Sequence, residues 1–141
     1  MAVWYGVVLL KKELRGLIFL QKKCIRNICN ERKFAHTNML FHRLSILKFK
    51  DLFNLNCSIF MYKLFYGLHG TGSFENVFQK LFSSRSMQYK VKLHTKSLNS
   101  LPTYYLVQIW NEIKVDIKNK QSVTSFKNIF TSLLLDQYML N

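Results

Sequence analysis

Residues Leu20 to Phe41, LQKKCIRNICNERKFAHTNMLF, decide the fold, because within them a basic amphipathic pattern ends, a polar connection follows and a second apolar helical pattern begins. On an ideal helix Lys11, Arg15, Lys22 and Arg26 fall within an arc of about 60°, which Lys12 and Lys23 widen to about 120°. Leu14, Leu17, Ile18, Cys24, Ile25 and Ile28 occupy the opposite side. Phe19 is the one aromatic that projects into the basic arc. Two readings of this helix follow: an ordinary surface helix with a solvated Lys/Arg face, or a helix that lies on a phosphate backbone.

Composition bounds the partner. In 141 residues, 49% hydrophobic and 15% aromatic content is ample for a packed core, so a folded chain is expected rather than a disordered one. The 21 Lys and Arg residues against 7 Asp and Glu give a net charge of +14. Such a surface attracts polyanions before any specific contact forms, which makes RNA or DNA the leading partner and an anionic membrane surface the second. The longest apolar runs, Ala2 to Leu10 and Leu101 to Ile109, are about half the roughly 20 residues a spanning helix requires, so no integral membrane insertion is expected. No basic segment precedes the first run and no Ala-x-Ala-like site follows it, which argues against a secretory signal. Three cysteines in a chain without signs of secretion point to reduced thiols in an intracellular compartment, nuclear or cytoplasmic.

Along the chain, Ala2 to Leu10 fits a strand or the first turns of a buried helix, and the basic helix follows over Lys11 to Cys29. Thr37 or Asn38 is placed to cap a second helix carrying Leu40, Phe41, Leu44 and Leu47. Asp51 is placed to cap a third helix with Leu52, Leu55, Ile59 and Tyr62 or Lys63 along one stripe, ending at Gly67. The spacing of Phe74, Val77, Phe78, Leu81 and Phe82 predicts a short helix capped by Ser73. Strict alternation from Met87 to His94 predicts a strand with Lys90 and Lys92 on its polar face. Tyr104 to Leu106 is expected to pair with it, leading into a helix through Val107, Trp110, Asn111 and Ile113. Lys118 to Gln121 reads as a basic polar linker, and Ser122 caps a last helix with Val123, Phe126, Ile129, Phe130, Leu133 and Leu134 on its buried face. The expected fold is therefore mainly α, with five or six helices and one small antiparallel hairpin. It divides into a basic helical region, 1–83, and a hairpin with C-terminal helices, 84–141.

No catalytic constellation is visible. The three aspartates, Asp51, Asp116 and Asp136, are isolated from one another, so neither a two-metal site nor a carboxylate pair is suggested. Cys24, Cys29, His36 and His42 have the ligand types of a zinc site, but the spacing C-x4-C-x6-H-x5-H is not a finger spacing and no CxxC pair exists. The glycine loop at 67–72 lacks the Gly-Lys-Ser/Thr ending of a phosphate cradle. No cofactor is expected.

The motifs, taken in order, resemble the region that follows the polymerase domain in non-LTR (LINE-type) retrotransposon reverse transcriptases, its thumb and linker. The matching pieces are Tyr5-Gly6, Leu20-Gln21-Lys22-Lys23 with Ile25-Arg26, His36-Thr37 with Leu40-Phe41, Leu44 with Ile46-Leu47-Lys48, Asp51-Leu52 and Phe60-Met61-Tyr62-Lys63. Phe74 with Leu81-Phe82 matches more loosely. Trp110-Asn111, Ile117-Lys118, Ser122, Phe126-Lys127 and Leu134 to Tyr138 continue the series. The chain departs from the pattern where a Leu-Pro before Phe74, a Gly-Pro before Trp110, a Ser-Leu-Pro after Asn111 and a Thr-Arg near Tyr89 would stand. The polymerase fingers and palm, with their Tyr-x-Asp-Asp metal-binding motif, have no counterpart in these residues, so the chain is not expected to be an enzyme by itself.

The one-sided basic cluster leads to the expectation of sequence-nonspecific nucleic-acid binding through Lys11, Lys12, Arg15, Phe19, Lys22, Lys23 and Arg26, with Lys90 and Lys92 extending the basic face, and the resemblance implies a reverse transcriptase palm as protein partner. Two other readings stand beside it. The lost turn residues fit a translated relic of a transposable element without selected activity, and the basic helix with Phe19 fits a peripheral binder of anionic membranes. The apolar start at Ala2 to Leu10 fits a segment from the inside of a larger fold, whose coding trace is expected upstream of Met1.

Overall fold

The computed structural model describes residues 2–68, 77–83, 86–91 and 102–140, with side chains over 15–68, 77–81, 87–89 and 103–140. Among these residues are six helices, α1 (Ala2–Ile28), α2 (Asn38–Arg43), α3 (Phe49–Phe65), α4 (Pro102–Glu112), α5 (Val115–Lys118) and α6 (Val123–Leu140), and two strands, β1 (Phe78–Ser83) and β2 (Ser86–Val91). The chain is mainly helical with one small antiparallel sheet, as its patterning implies. The apolar start is helical and continuous with the basic segment, giving α1 27 residues.

Three helices end in the same way. At Asn30, Ser45 and Gly67 the backbone turns to φ of 53°, 53° and 66°. The next residue's N–H then reaches back to the carbonyl five positions earlier: Glu31 to Arg26, Ile46 to Phe41 and Leu68 to Lys63. This Schellman closure satisfies carbonyls that a helix end leaves orphaned. It stops α2 at Arg43, one turn before the expected Leu47, so Leu44 and Leu47 pack from the connection instead.

The described chain forms two compact units, one of Met1–Phe53 with Phe130–Asn141 and one of Asn54–Ile129. In the first unit Ile25 of α1, Leu40 and Phe41 of α2 and Tyr138 of α6 form the core, with Cys29, Leu44, Leu47 and Leu135 against it. Burial of each large apolar side chain here stabilises by about 1.5–3 kcal/mol. The start of α3 is held from outside: Gln21 accepts from the Phe49 N–H at 2.9 Å and donates to the Leu47 carbonyl at 2.9 Å, and the Lys48 N–H donates to the Tyr138 hydroxyl at 3.0 Å. Asp51 is therefore not the cap that its position suggests. It is the third residue of α3, and its carboxylate accepts from the Tyr138 hydroxyl.

In the second unit the aromatic core is Tyr62, Trp110 and Phe126, with Met61 also fully enclosed. The Tyr62 and Phe126 ring centroids are 4.6 Å apart, and Phe65 and Trp110 5.6 Å apart. Two expectations are corrected here. Phe78 to Ser83 is a strand rather than the end of a helix, and Tyr104 to Leu106 lies in α4 rather than in the hairpin. β1 pairs with β2, Phe78 opposite Val91 and Ser83 opposite Ser86. The expected boundary between 83 and 84 thus falls inside this hairpin.

The reason is a pair of side chains on α4. Asn111 accepts from the Tyr89 N–H at 3.1 Å and donates to the Tyr89 carbonyl at 3.0 Å, while Trp110 Nε1 donates to the Met87 carbonyl at 2.8 Å. Together they satisfy the β2 edge that a third strand would have taken. The expected linker, Lys118 to Gln121, follows a helical turn, Val115–Lys118, and is tied down where the Tyr62 and Tyr66 hydroxyls donate to the Lys120 and Lys118 carbonyls. Ser122 caps α6 as expected, its hydroxyl accepting from the Ser125 N–H at 3.1 Å.

Candidate nucleic-acid interface

Which face of α1 meets solvent is set by Gln21. Its amide bridges Leu47 and Phe49, so the packed stripe is Ile18, Gln21, Ile25 and Cys29. On the helical wheel this stripe is rotated by about 50° from the centre of the expected apolar arc, toward the basic residues. Two consequences follow. Lys22 and Arg26 are drawn half into the packed side, and Leu17, Leu20, Cys24 and Ile28 are left in solvent at spacings of three and four, Leu17 43% and Ile28 66% exposed. The expected burial of Leu17, Cys24 and Ile28 is thereby corrected.

The basic arc itself divides into two kinds of residue. Arg15 and Lys23 are exposed, and Phe19 between them is 66% exposed. Arg26 has a structural task, since its Nε donates to the Ala35 carbonyl at 2.9 Å and ties the α1–α2 loop to the helix. Lys22 lies near Lys48, whose ammonium pKa is lowered by burial first, with Asp51 opposing and Lys22 adding to the depression. Lys48 also donates to Asn38 Oδ1 at 2.7 Å and sits 4.1 Å from the Tyr138 ring centroid. Lys11 and Lys12 belong to α1; their side chains fall outside the described residues. From Arg15 to Lys23 the helix rises about 12 Å.

The expected extension of this surface rests on Lys90, a residue of β2 in the second unit whose side chain is outside the described residues, and on Lys92, which lies outside them altogether. On the neighbouring strand Lys80 is internally engaged, its Nζ donating to the Phe65 carbonyl at 2.6 Å and lying 4.9 Å from the Phe65 ring centroid.

Sequence patterning missed the α1–α2 loop. Arg32, Lys33, Phe34 and His36 are all exposed there, and Arg43 lies beside the Cys29 thiol and Glu31, which raise its guanidinium pKa. The signal was present as an aromatic set directly after two cations in a polar connection. Among the described residues no group of His, Cys, Asp or Glu can hold a metal ion, and Cys24, Cys29 and Cys57 are free thiols, exposed, half-buried and buried in that order. No helix among the described residues is long and apolar enough to cross a membrane. Comparison of the chain with protein-family models, with curated proteins and with solved structures gives no match.

Proposed function

We propose that the chain binds RNA or DNA without sequence preference, as the C-terminal accessory region of a retrotransposon-type reverse transcriptase. The observation that carries this reading is the exposed side of α1, where Arg15, Phe19 and Lys23 stand together on a chain of net charge +14. Phosphates would be met by Arg15 and Lys23, with Lys11 and Lys12 at matching positions of the same helix, and Phe19 offers a ring for base stacking. In that setting the exposed stripe Leu17, Leu20, Cys24 and Ile28 is where a polymerase palm domain would pack. The chain would act as a binding module, the chemistry residing in that partner.

Salt titration tests the reading. Neutralising about four phosphates, at Lys11, Lys12, Arg15 and Lys23, predicts a slope of roughly −3 to −4 for log affinity against log salt on duplex DNA. The double reversal Arg15→Glu with Lys23→Glu should abolish most of the binding while leaving the circular dichroism unchanged. Binding that ignores salt, or survives the reversal, defeats it.

The same exposed stripe favours a second reading, a translated relic whose charge is inherited and whose apolar face has lost its partner. A cooperative thermal melt argues against the relic, and a broad or molten transition supports it. Binding to anionic but not neutral vesicles, with no affinity for oligonucleotides, would replace both with peripheral membrane attachment.

A further inference from the structure

The α1–α2 loop holds one large apolar side chain out in solvent. Phe34 is 89% exposed, the most solvent-exposed of the large hydrophobic residues among those described. Leaving a phenyl ring in water forgoes the stabilisation that its burial provides, and the loop that holds it is not slack. The Ala35 N–H donates to the Arg32 carbonyl at 2.9 Å, which closes a turn with Lys33 and Phe34 at its two corners. The Ala35 carbonyl is held by Arg26 at 2.9 Å, and the Glu31 N–H closes onto the Arg26 carbonyl at 2.9 Å. One arginine therefore grips the loop from both sides, through its backbone before the turn and its side chain after it. On the far side Thr37 is buried and its carbonyl accepts from the Phe41 N–H at 3.0 Å.

The two residues that lead into the ring are cationic. Lys33 Nζ lies 5.7 Å from the Phe34 ring centroid, and Arg32 precedes it in solvent. A flat apolar ring held out on a pinned turn, with a cation over it and another two positions earlier in the loop, matches an unpaired nucleobase and its flanking phosphates: the base takes the open ring face, and Lys33 and Arg32 take the phosphates. Because the turn is pinned before binding, little ordering entropy is lost when the base stacks. A base inside a duplex already has both faces stacked, so the ring discriminates by strandedness and not by sequence.

We infer that Phe34 is a base-stacking residue that gives this chain a preference for single-stranded RNA or DNA over duplex, with Lys33 and Arg32 as its phosphate contacts. The inference rests on the nucleic-acid reading of α1 but uses a different element and a different readout.

The test is fluorescence anisotropy with a labelled twelve-nucleotide single strand and the same sequence as a blunt duplex, using the full chain, Phe34→Ala and Phe34→Trp. Phe34→Ala should weaken single-strand binding by about 5- to 150-fold and leave duplex binding unchanged. Phe34→Trp should restore single-strand binding, with indole emission quenched by the single strand and not by the duplex, measured against the parent chain. A loss of equal size on both ligands, or no loss on either, overturns the stacking role while leaving salt-dependent binding by α1 standing. Wild-type protein that binds neither oligonucleotide at low salt overturns both. Phe34-dependent binding to phosphatidylserine vesicles without oligonucleotide binding assigns the ring to a membrane and overturns the inference.

Discussion

The ammonium of Lys118 lies 5.0 Å from the centroid of the Trp110 ring, and the residue is 1% exposed with no carboxylate in ion-pair distance among the described residues. A cation–π contact offsets only part of what an ammonium loses on leaving water. Burial accordingly pulls its pKa down from 10.5 to about 8. Below pH 8 the folded protein carries a buried charge that the unfolded chain hydrates freely. Between pH 8 and 10.5 the folded state has released a proton that the unfolded state still holds, so stability rises with pH.

Opposing groups bound that rise. Burial lifts Cys57 from 9.0 to about 11 and Tyr89 from 10.0 to about 12, so the unfolded chain ionises first and stability falls as pH passes 9 and then 10. The second unit should therefore reach its stability plateau between about pH 9 and 10. Lys118→Met should raise stability at pH 7 by on the order of 1–3 kcal/mol and remove the rise above pH 8. Denaturant melts at pH 7, 8 and 9 check both; a lysine variant with unchanged pH dependence would show that the depression comes from elsewhere.

Tyr138 joins α6 to the start of α3, accepting from the Lys48 N–H and donating to the Asp51 carboxylate. Tyr138→Phe keeps the ring against Phe41 but leaves a backbone donor and a carboxylate without their partner. The expected cost is about 1–3 kcal/mol. It should appear as a lower denaturant midpoint with an unchanged m-value.

Two glycines should respond to alanine with opposite signs. Gly16 is exposed within α1 and a Cβ there meets nothing within 4 Å, so Gly16→Ala should stabilise by about 0.5–1 kcal/mol through the unfolded chain. Gly67 has the same open space but a φ of +66°, so Gly67→Ala should destabilise by about 1 kcal/mol through backbone strain. Paired thermal melts decide it, and equal signs would contradict the assigned conformations.

What was legible in the sequence was local. Gly67 as a stop and Ser122 as a cap follow from backbone chemistry confined to a few residues, and both stand in the structure. Two of the misreadings, the β1 strand and the exposed face of α1, come from a polar side chain acting over a long sequence separation. Phe78, Leu81 and Phe82 suit a helix or a strand equally, and Asn111 and Trp110 stabilise the strand arrangement from more than twenty residues away. Gln21, twenty-six residues from Leu47, turns α1 and so decides which of its basic residues remain free. Lys118 sat in a polar run and looked solvated; nothing local shows that Trp110 covers it.

The stripe Leu17, Leu20, Cys24 and Ile28 contributes little to the packing of the first unit. Leu20→Gln with Ile28→Gln should leave the melt within about 0.5 kcal/mol and raise the concentration at which the protein stays monomeric in light scattering. A loss of several kcal/mol would mean that these side chains are packed in solution.

The rotation of α1 also separates two classes of cation that sequence treats alike. Arg15 and Lys23 are exposed, with no hydrogen bond or ion pair among the described residues, whereas Arg26 holds the Ala35 carbonyl. If α1 lies on phosphates, Arg15→Gln and Lys23→Gln should each reduce the salt slope on duplex DNA by about 0.9 without altering the melt. Arg26→Gln should instead lower stability by about 1–2 kcal/mol, because the loop carbonyl loses a charged donor. It should also weaken single-strand binding more than duplex binding, because the turn that carries Phe34 is released. Equal effects of all three substitutions on the salt slope, with no difference in stability, would return Arg26 to the phosphate-binding set and free the loop from the role assigned to it.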